Sequence, residues 1–229
     1  MLGKFIVFEG VEGAGKTTQI EIARAFLLKW IAQISPLTPL LQGEGLGVRV
    51  TREPGGTELG LGLRGLLLEC TSDEDISDRA ELLLYSADRA QHVEGFLKPE
   101  LAKGALILCD RFTDSTIAYQ GYGRGLNLEL INQLNDIATA GLQSDVTFWL
   151  DIDVEIGLQR AQQRGKRDRM EKADIEFHRR VQQGFQELAQ IERDRIIRID
   201  ASRAEEEVAQ EIQVILTGKL KEWGFSRNG

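Results

Sequence analysis

Residues 10–17 read Gly10-Val11-Glu12-Gly13-Ala14-Gly15-Lys16-Thr17 and come soon after the apolar run Phe5-Ile6-Val7-Phe8. They match the pattern G-x-x-x-x-G-K-[ST], which is typical of a phosphate-binding loop between a strand and a helix. In such a loop the glycines allow successive backbone N–H groups to face phosphate oxygens, and the helix N-terminus adds partial positive charge. An ordinary glycine-rich β–α turn is the alternative, but the apolar strand before the motif and the helical pattern after it favour the phosphate loop.

The motif also predicts which side chains contact a nucleotide. Lys16 is expected to reach the β- and γ-phosphates, and the hydroxyl of Thr17 is expected to ligate Mg²⁺. The nucleoside triphosphate site is predicted to comprise residues 10–18, so it ends at Thr18.

Composition and charge restrict the class of protein. The 229 residues are 42% hydrophobic, which is enough for one sizeable core, so we predict a single domain over 1–229. With 36 acidic and 28 basic residues, the formal net charge of -8 argues against nonspecific binding to nucleic acid or to an anionic membrane. No apolar run approaches the ~20 residues of a membrane span, and the N-terminus lacks a signal-peptide pattern, so the expected location is cytoplasmic.

Short apolar segments alternate with helical patterns along the chain. The predicted strands are 5–8, 48–50, 105–109, 146–150 and 195–200, and the predicted helices are 18–30, 58–68, 75–102, 128–140, 174–193 and 204–223. With a phosphate loop after the first strand, this alternation predicts an α/β fold: a doubly wound five-stranded parallel sheet of the P-loop NTPase type, flanked by helices. Prolines and glycines interrupt residues 31–47, where we expect a long connection, with a partner contact as the alternative.

Cations and an aromatic ring occur where this sheet would place a ligand. Arg52 follows the strand 48–50 at its carboxyl end, where parallel sheets bind ligands, although a surface ion pair with Glu53 is an alternative. Tyr85 and Arg89 are four residues apart and share a helix face, so together they could stack on a planar base and hydrogen-bond its edge. A solvated amphipathic flank explains this pair equally well.

Asp110 and Arg111 end the uninterrupted apolar strand 105–109. A carboxylate in this position, beside a phosphate loop, suits Mg²⁺ or its water shell, and a structural Asp–Arg pair is the alternative. A second concentration of basic residues precedes residue 170, where a basic solvated helix end is the alternative to a binding role. Its members are Arg160, Arg164, Lys166, Arg167 and Arg169.

Cations on several separate elements favour a reaction between two polyanions. Joining a nucleoside triphosphate to a second phosphate-bearing substrate requires positive charge in a dry cleft, which cancels the repulsion between the two. A phosphate acceptor needs no general base, because its second pKa is about 6 and its oxygens are mostly ionised at neutral pH. These residues suit phosphoryl transfer between nucleotides better than they suit slow NTP hydrolysis by a switch or binding module.

Three motifs together resemble the thymidylate kinase family over nearly the whole chain. They are Phe8-Glu9-Gly10-Val11-Glu12-Gly13-Ala14-Gly15-Lys16-Thr17-Thr18, Thr51-Arg52-Glu53-Pro54-Gly55-Gly56-Thr57, and Asp110-Arg111-Phe112 with Ser115, Ala118, Tyr119 and Gln120. The resemblance implies that the γ-phosphate of ATP is transferred to dTMP, yielding dTDP for DNA precursor synthesis, with Mg²⁺ as cofactor. It also implies a homodimer. Phosphorylation of another nucleoside monophosphate is the alternative within the same class.

The resemblance also implies roles for the residues that match these motifs. The implied dTMP-binding residues are Glu12, Arg52, Tyr85, Arg89, Arg111, Ser115, Thr116, Tyr119 and Gln120. The implied catalytic residues are Lys16, Arg111, Arg164 and Arg169, and the expected metal ligands are Thr17 and Asp110. Arg164 and Arg169 match a basic lid, at about 157–173, that closes over ATP. Because Gly13 stands where some members carry an arginine, the lid is expected to supply that cation.

Overall fold

Within the described residues, five parallel strands form one sheet in the order β2-β3-β1-β4-β5. The structure is a computed structural model and describes residues 3–34, 47–69, 76–163, 165, 169–170 and 173–225. The strands are β1 (Lys4–Glu9), β2 (Val48–Arg52), β3 (Leu106–Asp110), β4 (Val146–Asp151) and β5 (Ile196–Asp200). This sheet confirms the predicted α/β fold.

Helices flank the sheet on both faces. They are α1 (Lys16–Ile34), α2 (Glu58–Arg64), α3 (Asp78–His92), α4 (Lys98–Ala102), α5 (Thr113–Thr116), α6 (Leu128–Thr139), α7 (Val154–Gln163), α8 (Ile175–Ile191) and α9 (Glu205–Glu222). The π-helical segments Gly65–Glu69, Val93–Leu97 and Ile117–Gly123 continue α2, α3 and α5. Among the helices of the described ranges, none is both long and apolar enough to span a bilayer.

The central strands β1 and β3 are buried on both faces. Every residue of β1 after Lys4 is buried, as is every residue of β3 before Asp110. Ile6 packs into one core layer and Phe5 into the other, so each face of β1 has its own apolar cover. Such double burial explains why these strands are nearly continuous apolar runs in the sequence.

Side-chain caps determine where α2 and α3 begin. The side chain of Thr57 accepts a hydrogen bond from the backbone N–H of Gly60, and that of Ser77 accepts one from Ala80. The predicted helix 75–102 therefore begins at Asp78, and the segment Val93–Leu97 interrupts its α-helical geometry before α4; residue 75 lies outside the described residues.

Strand register brings the predicted site residues to one edge of the sheet. β3 pairs with β1 on one side and with β2 on the other, so Asp110 lies beside both Phe8 and Arg52. In doubly wound sheets, ligands bind beyond the carboxyl ends of the strands, in the crevice where the strand order reverses. The phosphate loop, Arg52 and Asp110 therefore meet at that crevice.

Two predicted segments lie partly outside the described residues. Of the long connection at 31–47, residues 31–34 belong to α1 and 47 precedes β2, whereas 35–46 are outside the described ranges. Of the predicted lid at 157–173, residues 157–163 form the C-terminal part of α7. Arg164, Lys166 and Arg167 also lie outside the described residues. The lid itself stays a prediction.

Candidate active site

A cavity of about 880 Å³ opens at the carboxyl edge of the sheet. Of the predicted site residues that the structure describes, Gly10, Val11 and Arg169 do not line the cavity. Arg164 lies outside the described ranges. The other predicted site residues all line the cavity: Glu12, Gly13, Ala14, Gly15, Lys16, Thr17, Thr18, Arg52, Tyr85, Arg89, Asp110, Arg111, Ser115, Thr116, Tyr119 and Gln120. The fold thus unites the predicted triphosphate loop with the predicted acceptor residues.

Gly13 sits at a point of the phosphate loop where no side chain fits. Its φ is 73°, in the left-handed region that favours glycine. A Cβ atom on Gly13 would overlap the carbonyl oxygen of Gly157 in α7. The packing of α7 against the loop therefore excludes an arginine at this position, in agreement with the expectation that the loop itself supplies no such cation.

Lys16 folds back onto its own loop. Its Nζ donates hydrogen bonds to the carbonyl oxygens of Gly10, at 2.9 Å, and Val11, at 3.1 Å. Burial lowers the pKa of Lys16 to about 8, and the neighbouring charge of Arg111 adds to that effect. The ammonium group is thus held where phosphate oxygens would enter the loop.

The lowered pKa predicts that ATP binding depends on pH. A bound triphosphate stabilises the charged form of Lys16, so above pH 8 the free protein must take up a proton to bind. We expect the dissociation constant of ATP to rise by up to about tenfold between pH 8 and pH 9. Calorimetry in buffers of different ionisation enthalpy should give little proton uptake at pH 7 and nearly one proton at pH 9.

The matched control for this pH dependence is Lys16→Arg. A guanidinium group does not titrate in this range, so the variant should bind ATP without proton uptake at either pH. Absence of proton uptake by the unsubstituted protein at pH 9 would contradict the assignment to Lys16.

Glu12 and Arg111 join the phosphate loop to the segment after β3. Glu12 Oε1 accepts hydrogen bonds from Arg111 and from the hydroxyl of Tyr119, both at 2.8 Å. Burial raises the pKa of Glu12, but the charges of Arg111 and Lys16 outweigh burial and leave the pKa below its usual value. Arg111 also donates to Ser115 Oγ at 3.2 Å, and its φ of 72° is unusual for a residue with a side chain. An ionised carboxylate and a fixed guanidinium thus face the cavity together.

Arg89 is buried, at 2% exposure, rather than on a solvated flank. Its Nε donates to Glu53 Oε2 at 2.8 Å, and Nη1 donates at 2.8 Å to both Thr116 and Asn135. Nη2 donates to the carbonyl oxygen of Phe112 at 3.0 Å. The guanidinium group is therefore held rigidly in the wall of the cavity.

Sequence reasoning missed the carboxylate that supports Arg89. Glu53 binds Arg89 and also lies 2.9 Å from His92 Nδ1, whose other ring nitrogen is 2.7 Å from Thr51 Oγ1. Because Glu53 pairs with these groups, the alternative of a surface ion pair with Arg52 is wrong. Arg52 remains exposed at the cavity. The sequence signal that could have identified Glu53 is its place in the same motif as Arg52.

Glu9 is a second residue that the sequence analysis did not single out. It accepts hydrogen bonds from the backbone N–H groups of Phe112, at 2.8 Å, and Ser115, at 3.1 Å, and from Ser115 Oγ at 2.6 Å. Burial, and then the nearby charge of Asp114, raise the pKa of Glu9 to about 7. The sequence signal that could have identified Glu9 is its position at the end of an apolar strand, just before the phosphate loop.

Thr17 and Asp110 are suitably placed for a metal ion. Thr17 lies in the first turn of α1 and lines the cavity. Oδ1 of Asp110 is buried and has no hydrogen-bond partner within the described residues. A buried carboxylate oxygen in need of a partner fits the oxygen ligands that Mg²⁺ prefers.

Arg169 is bound to α3 and to the extension of α2. Its Nε donates to the carbonyl oxygen of Leu67 at 2.9 Å, and its Nη2 donates to Glu81. Although Arg169 does not line the cavity, Met170 does. The predicted role of Arg169 at ATP stays a prediction.

Comparison with known proteins gives the family. The thymidylate kinase family model matches residues 8–212, a span that includes the phosphate loop, the Arg52 motif and Asp110. The chain belongs to the thymidylate kinase family. This confirms the family and the enzyme class predicted from the sequence: the protein is a nucleoside monophosphate kinase.

Individual members of the thymidylate kinase family match the chain over nearly its whole length. The thymidylate kinase of Trichodesmium erythraeum is 61% identical over 226 residues, which are 98% of this chain and 100% of that protein. The thymidylate kinase of Nostoc punctiforme is 59% identical over 222 residues, which are 96% of this chain and 99% of that protein. The crystal structure of thymidylate kinase from Ehrlichia chaffeensis is 32% identical, has a TM-score of 0.72, and the match covers 95% of this chain and 100% of that chain.

Proposed function

We propose that this enzyme transfers the γ-phosphoryl group of ATP to the phosphate of dTMP, giving ADP and dTDP, with Mg²⁺ as cofactor. The observation that carries the proposal is the convergence of Lys16, Arg52 and Arg111 on one cavity. Family membership supports the choice of acceptor. The proposal treats residues 1–229 as a single domain that acts in the cytoplasm, where DNA precursors are made; cell fractionation tests the location.

The cavity suits catalysis by positioning and neutralisation of charge. Donor and acceptor are both polyanions, and cations in a cleft shielded from water lower the repulsion between them. Lys16 belongs to the donor loop, whereas Arg111 follows β3 and is held by Glu12. No general base is required, because the acceptor phosphate is already mostly ionised at neutral pH. The ionised Glu12 is suited to accept a hydrogen bond from the acceptor sugar.

We propose Thr17 and Asp110 as the residues that hold Mg²⁺ at the donor phosphates. When bound, the ion would neutralise phosphate charge as the phosphoryl group is transferred. Chelation by EDTA should abolish activity, and added Mg²⁺ should restore it. Full activity in EDTA would contradict this assignment.

For the acceptor base, we propose that Tyr85 stacks on the ring. Gln120 and Arg89 are the polar groups proposed to meet its edge, and all three side chains line the cavity. Arg89 cannot move freely, because neighbouring groups hold its guanidinium N–H groups. It therefore presents a preorganised guanidinium group to the base.

A coupled assay of ADP release tests the reaction. The enzyme should release ADP from ATP only when an acceptor is present, and dTMP should be the acceptor with the highest kcat/KM. Faster turnover of dGMP or AMP would overturn the choice of acceptor. Acceptor-independent release of ADP would favour a P-loop module that hydrolyses NTP.

The basic lid with Arg164 is part of the proposal. Because Gly13 leaves the phosphate loop without an arginine, Arg164 is proposed to supply one to the transferring group. Arg164→Ala should lower kcat by at least about tenfold while changing KM for dTMP much less. Arg179→Ala, which removes a half-exposed arginine of α8, is the control and should leave kcat unchanged. A larger effect on KM for dTMP than on kcat would move Arg164 to the acceptor site.

We also propose a homodimer, supported by an exposed apolar face. α3 contacts both α2 and α6, so exposed side chains on these helices lie on adjoining elements. They are Leu59, Leu61, Leu83, Leu128, Leu130 and Ile137, and Leu66 in the extension of α2 is exposed as well. A face of this kind marks an interaction site. Light scattering that gave the 25.6 kDa of a single chain would contradict the dimer.

A further inference from the structure

Glu81 of α3 is a buried carboxylate beside the cavity, and the proposed reaction gives it no role. Its exposure is 0%, and it lies four residues before Tyr85. Oε1 accepts a hydrogen bond from Nε2 of Gln120 at 2.8 Å. Oε2 accepts hydrogen bonds from Arg124, at 3.2 Å, and from Arg169. Both oxygens are therefore used, by side chains from other parts of the chain.

The bond to Glu81 decides which end of the Gln120 amide a ligand meets. An ionised carboxylate only accepts hydrogen bonds, so the amide NH₂ group must point to Glu81. Burial raises the pKa of Glu81, but the hydrogen bonds from Gln120 and Arg169 and the charge of Arg124 outweigh burial and lower the pKa, so the group stays ionised. Gln120 lines the cavity, and its carbonyl oxygen is the amide atom that can accept from a ligand.

The same carboxylate holds Arg169, which belongs to the predicted lid at 157–173. Besides its bond to Glu81, Arg169 donates through Nε to Leu67 O and through its backbone N–H to Leu68 O, at 2.9 and 3.3 Å. Residue 169 is thus docked on the extension of α2 as well as on α3. The next residue, Met170, lines the cavity. Glu81 is the group that these residues share with Gln120.

We propose that Glu81 is a positioning residue for substrate selection: it locks Gln120 as a hydrogen-bond acceptor toward the base. This inference rests on the proposed function, in which Gln120 faces the base of the acceptor. Thymine presents an N3–H donor, whereas cytosine presents an unprotonated N3, which is an acceptor. A locked carbonyl oxygen accepts a hydrogen bond from thymine and repels the lone pair of cytosine.

The test measures the ratio of kcat/KM for dTMP to kcat/KM for dCMP. Glu81→Gln keeps the shape of the side chain but allows the Gln120 amide to turn over, because an amide both donates and accepts. We expect the ratio to fall about tenfold or more, with KM for ATP nearly unchanged. The control is Glu187→Gln, since Glu187 also accepts from a glutamine, Gln183, but does not line the cavity. It should leave the ratio unchanged.

A double-mutant cycle with Gln120→Leu separates positioning from a purely structural role. If Glu81 acts through Gln120, Glu81→Gln should hardly alter the ratio in the Gln120→Leu background. Equal effects in both backgrounds, or an unchanged ratio in Glu81→Gln, would overturn the proposal. A wild-type enzyme that does not phosphorylate dTMP would refute the proposed function instead.

Glu81→Gln leaves two guanidinium groups without a buried counter-ion, and the variant can fail to fold for that reason. The double variant Glu81→Gln/Arg169→Met then removes one of the two guanidinium groups and leaves that of Arg124. Its dTMP/dCMP ratio is compared with that of Arg169→Met alone, which keeps the ionised Glu81 and should keep the ratio of the unsubstituted enzyme. A lower ratio in the double variant supports the proposal, and equal ratios in the two variants overturn it.

Discussion

The Lys16→Ala variant is expected to lose about 10³-fold or more in kcat/KM for transfer of phosphate from ATP to dTMP. Nζ of Lys16 lies within 3.1 Å of two loop carbonyl oxygens, so the ammonium group is already in the phosphate loop before substrate binds. Removing it leaves the charge of the transferring phosphoryl group unsupported in both the ground state and the transition state. A coupled assay of ADP release measures the loss.

The same variant should keep its thermal midpoint. Because burial lowers the pKa of Lys16 to about 8, the folded, unliganded protein disfavours the charged form, so the charge does not stabilise the fold. The matched control is Lys29→Ala, because Lys29 is an exposed lysine of the same helix. It should change neither kcat/KM nor the thermal midpoint. Wild-type kcat/KM in Lys16→Ala would exclude Lys16 from the donor site, and a large loss of stability would mean that the activity loss reflects unfolding.

Arg89→Ala is expected to destabilise the protein and to weaken dTMP binding. The substitution leaves Glu53, whose side chain is buried, without its guanidinium partner, and breaking a buried ion pair costs about 3–5 kcal/mol. For a protein of this size, such a loss lowers the thermal midpoint by about 10 °C. Thr116 and Asn135 also lose their donor. Differential scanning calorimetry measures the midpoint, and titration calorimetry with dTMP measures the affinity.

Arg52→Ala separates the two effects. Arg52 is exposed at the same cavity, so its loss should weaken dTMP binding and leave the thermal midpoint within about 2 °C. If Arg89→Ala leaves the affinity for dTMP unchanged at a temperature where the variant is folded, the proposed role of Arg89 in acceptor binding is refuted. A midpoint equal to that of the unsubstituted protein would show that the Arg89–Glu53 pair contributes little to stability.

Much of the fold follows from local patterns. The apolar runs of β1 and β3, the caps Thr57 and Ser77, and the loop at 10–17 each depend on residues close together in the sequence. Periodicity did not reveal the π-helical interruption in the predicted helix 75–102, because the apolar positions continue through it. Local patterns also left open whether Arg89 was solvated or buried.

The residues of the candidate site were likewise predictable only in part. The motifs of the phosphate loop, Arg52 and Asp110-Arg111 predicted residues that do line one cavity. The partners of those residues were not predictable from spacing, because they are distant along the chain: Arg111 and Glu12 are 99 residues apart, and Arg169 and Glu81 are 88 apart. The structure pairs Arg169 with Glu81, and the expected role of Arg169 at ATP stays a prediction.

The sequence alone determined the phosphate loop, the alternation of strands and helices, and the family, since each depends on short motifs or on the period of apolar residues. Only the tertiary structure decided that Gly13 packs against Gly157, that Arg89 pairs with Glu53, and that one carboxylate holds Gln120 and Arg169. The physical reason is burial: a charged side chain inside the protein must find a partner, and the packing of distant elements determines which partner is within reach. The fold therefore determines which side chain fits at Gly13 of the phosphate loop and which distant residue pairs with Glu12.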